Sequence, residues 1–172
     1  MKPTPCCVRQ AVVADAPSLA EIYNQALAER SATFETEPRS SAERSDWIAS
    51  RGERHPILVA ESAGEVVGWT SISPYRARAC YDGVGEFSVY VDRRFRGAGV
   101  GKRLLVALID EARRIGYWKL VSRVFASNQA SRALCTACGF REVGIYEKHG
   151  KLDGRWVDCV IVERIIEENL WD

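Results

Sequence analysis

Apolar residues along this chain alternate between two spacings, and the switches mark out its elements. Val8 to Val13 reads as a first strand. Asp15 then supplies an N-cap with Pro17 in the first turn, and Leu19, Ile22, Tyr23, Ala26 and Leu27 form one helical face. After a loop carrying Thr33-Phe34-Glu35, Ser40 and Glu43 have the spacing of a capping box ahead of a short helix with Trp47 and Ile48, closed by Pro56. Residues 57–61 and 66–72 are β-prone runs separated by the turn signal Ala63-Gly64-Glu65, which predicts an antiparallel hairpin. A loop from Ser73 to Gly85 leads to an alternating strand over 86–91. A helix with Leu104, Leu105, Leu108, Ile109, Ala112 and Ile115 inward runs to about Arg114, with Gly116 at its C-terminus. A strand over 119–125, a helix from about Gln129 to Cys138, a break at Gly139 and strands near 140–147 and 156–165 complete the pattern. The order implies an α/β fold, a mixed central sheet with helices on both faces.

The most informative stretch is Arg96-Gly97-Ala98-Gly99-Val100-Gly101, set between a strand and a helix N-terminus. Glycines let a ligand approach the backbone, and the unpaired N–H groups of a first helical turn favour an anion there. Two phosphate motifs fail against it. A Walker A loop needs four residues between its glycines and Ser or Thr after the lysine, whereas Gly97 and Gly101 enclose three and Arg103 follows Lys102. A dinucleotide fingerprint needs a different third-glycine spacing and an acidic residue about twenty positions on, near an early strand.

Length and charge narrow the ligand further. At 172 residues the chain suits one domain over 1–172, with its core at 7–166 and a short polar N-terminal tail. Twenty-four basic against 23 acidic residues leave a formal charge of +1, so no nucleic-acid or membrane partner is expected and the ligand should be small. With no apolar run long enough to span a bilayer and no signal-peptide pattern, the expected compartment is the cytoplasm. Six cysteines lack the context of a disulfide framework and read as reduced thiols. Cys135-Thr136-Ala137-Cys138 lies within a helix and reads as structural, and Cys6, Cys7, His55 and His149 have no zinc-ligand spacing, so no metal is expected.

Arg-x-x-Gly-x-Gly at this place in the element order resembles the coenzyme A pyrophosphate loop of the GNAT superfamily of N-acetyltransferases. Thr33-Phe34-Glu35, Val66-Val67-Gly68-Trp69, Ser73-Pro74-Tyr75-Arg76 with Arg78, Glu86 with Ser88-Val89-Tyr90-Val91, Ala137-Cys138-Gly139-Phe140 and Gly154-Arg155-Trp156-Val157-Asp158 are similar to its phosphinothricin and methionine sulfoximine N-acetyltransferase branch. The resemblance implies an acyl-CoA N-acyltransferase fold, acetyl-CoA as co-substrate and a small amino-acid-like acceptor such as phosphinothricin, methionine sulfoximine or arsinothricin, whose acetylation confers resistance. It also implies a homodimer, with Trp156, Leu170 and Trp171 as candidate contacts.

On that resemblance, Val89, Tyr90 and Val91 pair with the pantetheine arm, Gly97, Ala98, Gly99, Val100 and Gly101 hold the pyrophosphate through main-chain donors, and Arg96 adds charge. Asn128 and Ser131 either contact the coenzyme or simply cap a helix. An ammonium must lose a proton before it attacks a thioester, and the resemblance puts the family's base at Glu86. Tyr75, Arg76, Arg78, Phe87 and Ser88 join Phe34 and Glu35 in the acceptor set, the two guanidinium groups suiting carboxylate or oxyanion recognition. Cys135 stands where many relatives have a histidine and is an option for the general acid. Two other readings stay open: a protein or peptide amine as acceptor, or an acetyl-CoA-binding protein without turnover.

Overall fold

A computed structural model describes residues 6–170; the start of the polar tail and Trp171 lie outside them. Seven strands form one sheet in the order β1-β2-β3-β4-β5-β7-β6. They are β1 (Cys7–Gln10), β2 (Ile57–Ser62), β3 (Glu65–Pro74), β4 (Val84–Val91), β5 (Lys119–Phe125), β6 (Arg141–Leu152) and β7 (Arg155–Ile165). Four helices accompany them: α1 (Ala16–Ala28), α2 (Ser41–Ala49), α3 (Val100–Ile115) and α4 (Gln129–Ala137). Side-chain alternation divides the sheet between two cores. Ile57, Val59 and Trp69 pack against Leu19, Ile22, Tyr23 and Leu27 of α1, while Leu58, Ile72 and Phe87 face Leu105, Leu108 and Ile109 of α3.

Most expected elements fall where their patterns put them, and the capping box is formed in both directions. Ser40 Oγ accepts from the Glu43 amide at 3.1 Å, and a Glu43 carboxylate oxygen accepts from the Ser40 amide at 2.7 Å. The first strand is shorter than the expected Val8 to Val13. It stops at Gln10: the Ala11 amide makes one last bond, to the carbonyl of Ile57 where β2 begins, at 2.8 Å, and Val12 and Val13 beyond it are about half exposed, at 53% and 48%. Asp15 is also not a side-chain cap. Its carboxylate accepts from the Val12 amide and ion-pairs with Arg9 at 2.8 Å, tying the start of α1 to β1.

The last hairpin is longer than its sequence pattern, with strands over 141–152 and 155–165 where 140–147 and 156–165 were expected. A bulge hides the alternation: Tyr146 pairs with Cys159 and Gly150 with Val157, so residues 147–149 face one residue, Asp158. Lys148 takes a φ of 49°, and its amide donates to the Asp158 carboxylate at 2.7 Å. This bulge puts His149 and Gly150 beside the inner end of the sheet's central opening.

That opening forms between the two parallel strands. β4 and β5 pair only over Val84–Glu86 and Lys119–Val121, whereas β4 stays paired with β3 as far as Val91. Beyond Glu86 the strands diverge, leaving one edge of β4 without a strand partner.

Candidate active site

A groove of about 490 Å³ runs from that free edge to the start of α3. Val89, Tyr90 and Val91 line it, with Arg96, Gly97, Gly99, Val100 and Gly101 at one end and Asn128, Ser131 and Leu134 of the α4 segment opposite. Gly99 is the N-cap of α3 in the left-handed region at φ 84°, so its conformation itself favours glycine and leaves the first amides of the helix bare of a side-chain cap. Those amides and the helix dipole suit a pyrophosphate. Ala98 is 4% exposed and does not line the groove, so only its main chain is available for such a role.

Arg96 is less free than its position in the motif implies. Its Nη1 donates to Glu29 at 2.8 Å and its Nε to the Val91 carbonyl at 3.1 Å, which fastens the turn to α1 and β4. Lys102 also lines the groove. Asn128 uses both ends of its amide: the oxygen caps α4 by accepting from the Ser131 amide, and the nitrogen donates to the Ser31 carbonyl. Helix capping is therefore observed at Asn128, and Ser131 remains on the groove wall.

At Tyr90 the groove meets a central cavity of about 340 Å³ that contains Glu86. The two share Ala32, Val89, Tyr90, Asn128 and Ser131. Glu86 accepts a 2.6 Å ion-pair hydrogen bond from Arg123 of β5, across the mouth of the strand opening. Phe34, Glu35, Ser88, Cys135 and His149 complete much of this wall. Phe34 stands edge-on to Phe125, with ring centroids 4.8 Å apart, and a Cβ on Gly150 would come within 2.6 Å of its ring. Phe87 also borders the cavity but is 2% exposed and packs against Phe140, which makes it a core residue.

Beyond Tyr90, Thr33, Glu35 and Ser88 lies a third cavity of about 490 Å³, walled by Tyr23, Trp47 and Trp69 together with Arg39, Arg44, Ser71 and Ser73. Glu35 accepts from Tyr23 at 2.8 Å and from Arg39 at 2.7 Å. Burial raises its pKa, but these hydrogen bonds outweigh burial and hold Glu35 below the usual carboxylate range. Tyr90 lines all three cavities, and burial pushes its phenol above the ordinary value.

A model of the Acetyltransferase (GNAT) family matches residues 19–140, which contain the strand opening and the glycine turn. The chain belongs to this family. An L-methionine sulfoximine/L-methionine sulfone acetyltransferase of Pseudomonas paraeruginosa is 37% identical over 158 residues, 91% of this chain and 92% of the relative. A GNAT phosphinothricin acetyltransferase of Sinorhizobium meliloti, solved in complex with acetyl-CoA, superposes with a TM-score of 0.89 at 32% identity, covering 96% of this chain and 90% of that one. A ribosomal-protein-alanine N-acetyltransferase of Brucella melitensis also gives a TM-score of 0.89, at 37% identity over 93% and 99% of the two chains.

Within the GNAT frame, the sequence-derived acceptor set separates into two groups. Phe34, Glu35, Glu86 and Ser88 converge on the central cavity. Tyr75, Arg76 and Arg78 line none of the three cavities. They lie on the loop leaving β3 after Pro74, whose partner Gly85 precedes Glu86, so the loop borders the Glu86 end of the ladder. There Tyr75 stacks edge-on with Tyr81, and the Arg76 guanidinium sits 5.2 Å from the Tyr75 ring centre.

Sequence reading missed Arg123, Arg44 and Glu29, and weighed His149 only as a metal ligand. A lone arginine amid the apolar residues of β5 was a visible signal for Arg123; the other three needed the fold. Cys135 is a poor proton donor for a GNAT reaction. Burial pushes its thiol up to about 12, whereas an ordinary thiolate leaving group is matched near roughly 8.5. Cys135 and Cys138 lie in the main core, in keeping with a structural CxxC. Among the described residues no group of three His, Cys, Asp or Glu side chains could hold a metal.

Proposed function

We propose that this chain, as a single domain over 1–172, transfers acetyl from acetyl-CoA to the α-amino group of an amino-acid antimetabolite such as phosphinothricin, methionine sulfoximine or arsinothricin. The observation that carries the reading is the free edge of β4, bounded by a glycine turn at one end and Glu86 at the other. Acetyl-CoA supplies the activated acyl group. Val89 to Val91 align it as an added strand, their main-chain N–H groups polarise the thioester carbonyl, and the first turn of α3 holds its pyrophosphate. Glu86 takes the proton from the acceptor ammonium directly or through water, with Arg123 fixing the carboxylate toward the opening. The free amine attacks the thioester carbonyl, the C–S bond breaks, and the second proton of the nitrogen passes to the departing thiolate through water, so CoA leaves as the thiol. Blocking the amine detoxifies the acceptor, which gives the enzyme its resistance role.

Acetyl-CoA as donor also favours the cytoplasm as its compartment; among the described residues no helix is long and apolar enough to cross a membrane. We infer a homodimer from the edge strand β6, which among the described residues has no strand partner on one side and exposes Val143, Ile145 and Tyr146, and from the exposed Trp156 of its neighbour β7. Ile145→Lys should then shift the sedimentation of the protein to that of a monomer.

Mass spectrometry of acetylated product tests the activity, because the exposed Cys7 and Cys80 would react with a thiol reagent used to detect CoA. Turnover of phosphinothricin or methionine sulfone is the expected result. Preferential acetylation of an alanine-terminated peptide would transfer the reading to a protein acceptor, and acetyl-CoA binding without turnover would end it.

A further inference from the structure

Gly150 is a glycine for reasons of space and not of backbone angle. Its φ is not positive, yet a Cβ added to it would stand 2.6 Å from Cε1, 2.7 Å from Cζ and 3.1 Å from Cδ1 of Phe34. Carbon atoms in contact settle at about 3.5 Å or more, so the ring and the missing side chain exclude each other. The bulge makes this seat. It absorbs residues 147–149, and the ladder resumes with Gly150 opposite Val157, against the face of the ring.

Phe34 belongs to the loop after α1, and two contacts strap that loop to the β6–β7 hairpin. Arg30 pairs with Asp153 of the hairpin turn at 3.0 Å, and the Phe34 ring rests on Gly150 while meeting Phe125 edge-on, 4.8 Å between centroids. Between these points the Asn128 side chain donates to the Ser31 carbonyl at 3.1 Å. With β6 behind the ring and Phe125 at its edge, a ring displaced from Gly150 moves into the central cavity that it lines. Phe125 and Cys159 border the same cavity but are only 4% and 1% exposed, whereas Phe34 is half-buried. Phe34 is therefore the ring that an occupant meets at this end, across from Glu86, Ser88 and Arg123.

We propose that Gly150 is a positioning residue for acceptor specificity: by seating Phe34 against β6 it sets the depth of the central cavity, and with it the size of the alkyl group an acceptor side chain carries. The inference rests on the amino-acid acceptor proposed above. It adds to Phe34, already in the acceptor set, the residue that decides where its ring stands. With the α-amine at Glu86, the apolar part of such an acceptor is its side chain, and the terminal methyl of phosphinothricin or methionine sulfone takes the Phe34 side. One methylene too many in an apolar pocket costs roughly 10- to 200-fold in kcat/KM.

Methionine sulfone and ethionine sulfone differ by that one methylene. The native enzyme should prefer the methyl compound by about 10- to 100-fold in kcat/KM. Gly150→Ala pushes the ring inward and should widen the preference by roughly a further tenfold, chiefly through KM. Acetyl-CoA affinity by calorimetry should stay within about threefold, because Gly150 lies outside the donor groove. Phe34→Ala should bring the two sulfones to within about threefold of each other, and Gly150→Ala added to it should alter their ratio by less than about twofold. A native enzyme indifferent to the methylene, an equal penalty on both sulfones in Gly150→Ala, or a Gly150→Ala effect undiminished without the Phe34 ring overturns the proposal. Should Gly150→Ala not fold, Phe34→Leu leaves β6 intact and should narrow the preference; an unchanged preference then counts as refutation.

Calorimetric titration of the two sulfones into the CoA-loaded enzyme separates this inference from the proposed activity. If neither sulfone is acetylated, that activity fails, while a binding ratio widened by Gly150→Ala and levelled by Phe34→Ala still upholds the seat. A ratio that neither substitution moves overturns it, and the absence of binding by either sulfone overturns both.

Discussion

The groove proposed for the donor and the cavities proposed for the acceptor meet at Tyr90, yet they are built from different materials. Main chain dominates the groove: an unpaired strand edge, glycines in the left-handed region and the first turn of a helix. Side chains dominate the acceptor side, where rings, guanidinium groups and carboxylates from α1, α2, β3, β4, β5 and the 31–35 loop converge. A backbone surface recognises what its ligand's invariant portion shares, a pyrophosphate and an amide-bearing arm. A side-chain surface can be altered one residue at a time, which suits discrimination among acceptors.

Substitutions on either side should therefore have separable kinetic signatures. Glu86→Gln is expected to have the largest effect, lowering kcat by roughly 10²- to 10³-fold in steady-state assays while leaving acetyl-CoA affinity by calorimetry nearly unchanged. Retention of turnover would move the proton-accepting role to another wall of the central cavity. Gly99→Val forces a β-branched residue to a φ of 84° and should raise the acetyl-CoA KM by about tenfold with little change in acceptor KM. If both KM values rise together, the two surfaces are not independent.

Tyr23→Phe removes one of the hydrogen bonds holding Glu35 below its ordinary range. A depressed carboxylate keeps its charge until the pH falls through its folded value, so losing Tyr23 should start the acidic loss of kcat/KM at a higher pH, with an effect of about twofold near neutrality. Cys135→Ala should change turnover least, by less than about threefold at neutral pH. Its signature is in stability. Burial pushes the thiol up to about 12, so the native fold resists an ionisation that the unfolded chain undergoes. That penalises folding increasingly from pH 9 towards 12, by up to about 4 kcal/mol. Denaturant titrations should show less alkaline destabilisation in Cys135→Ala than in the native protein.

The same contrast explains what could be read from the chain. Arg96 to Gly101 is contiguous, and its glycines, the strand before it and the helix after it each have a local sequence signal. The capping box at Ser40 and the hairpin turn at Ala63-Gly64 were legible for the same reason. Arg123 closes on Glu86 from 37 residues away, and Arg44 meets Trp69 only after α2 packs over β3. No periodicity encodes those encounters. The bulge at 147–149 is a similar case: its polar residues resemble a loop, but Asp158 accepts the Lys148 amide and the strand resumes at Gly150.

The seam between β4 and β5 gives the protein a mechanical property. Among the described residues only three paired positions on each strand join β4 to β5, so opening the seam breaks few backbone bonds, and the core that Leu105 and Leu108 of α3 share with Leu120, Val124 and Val160 holds the halves together. A pantetheine arm laid along β4 would act as a splint across this joint. Resistance to heat would then rise with donor concentration as RT ln(1 + [L]/Kd), about 2.7 kcal/mol at a hundredfold excess over Kd. The enzyme's rigidity would thus follow the cell's acetyl supply.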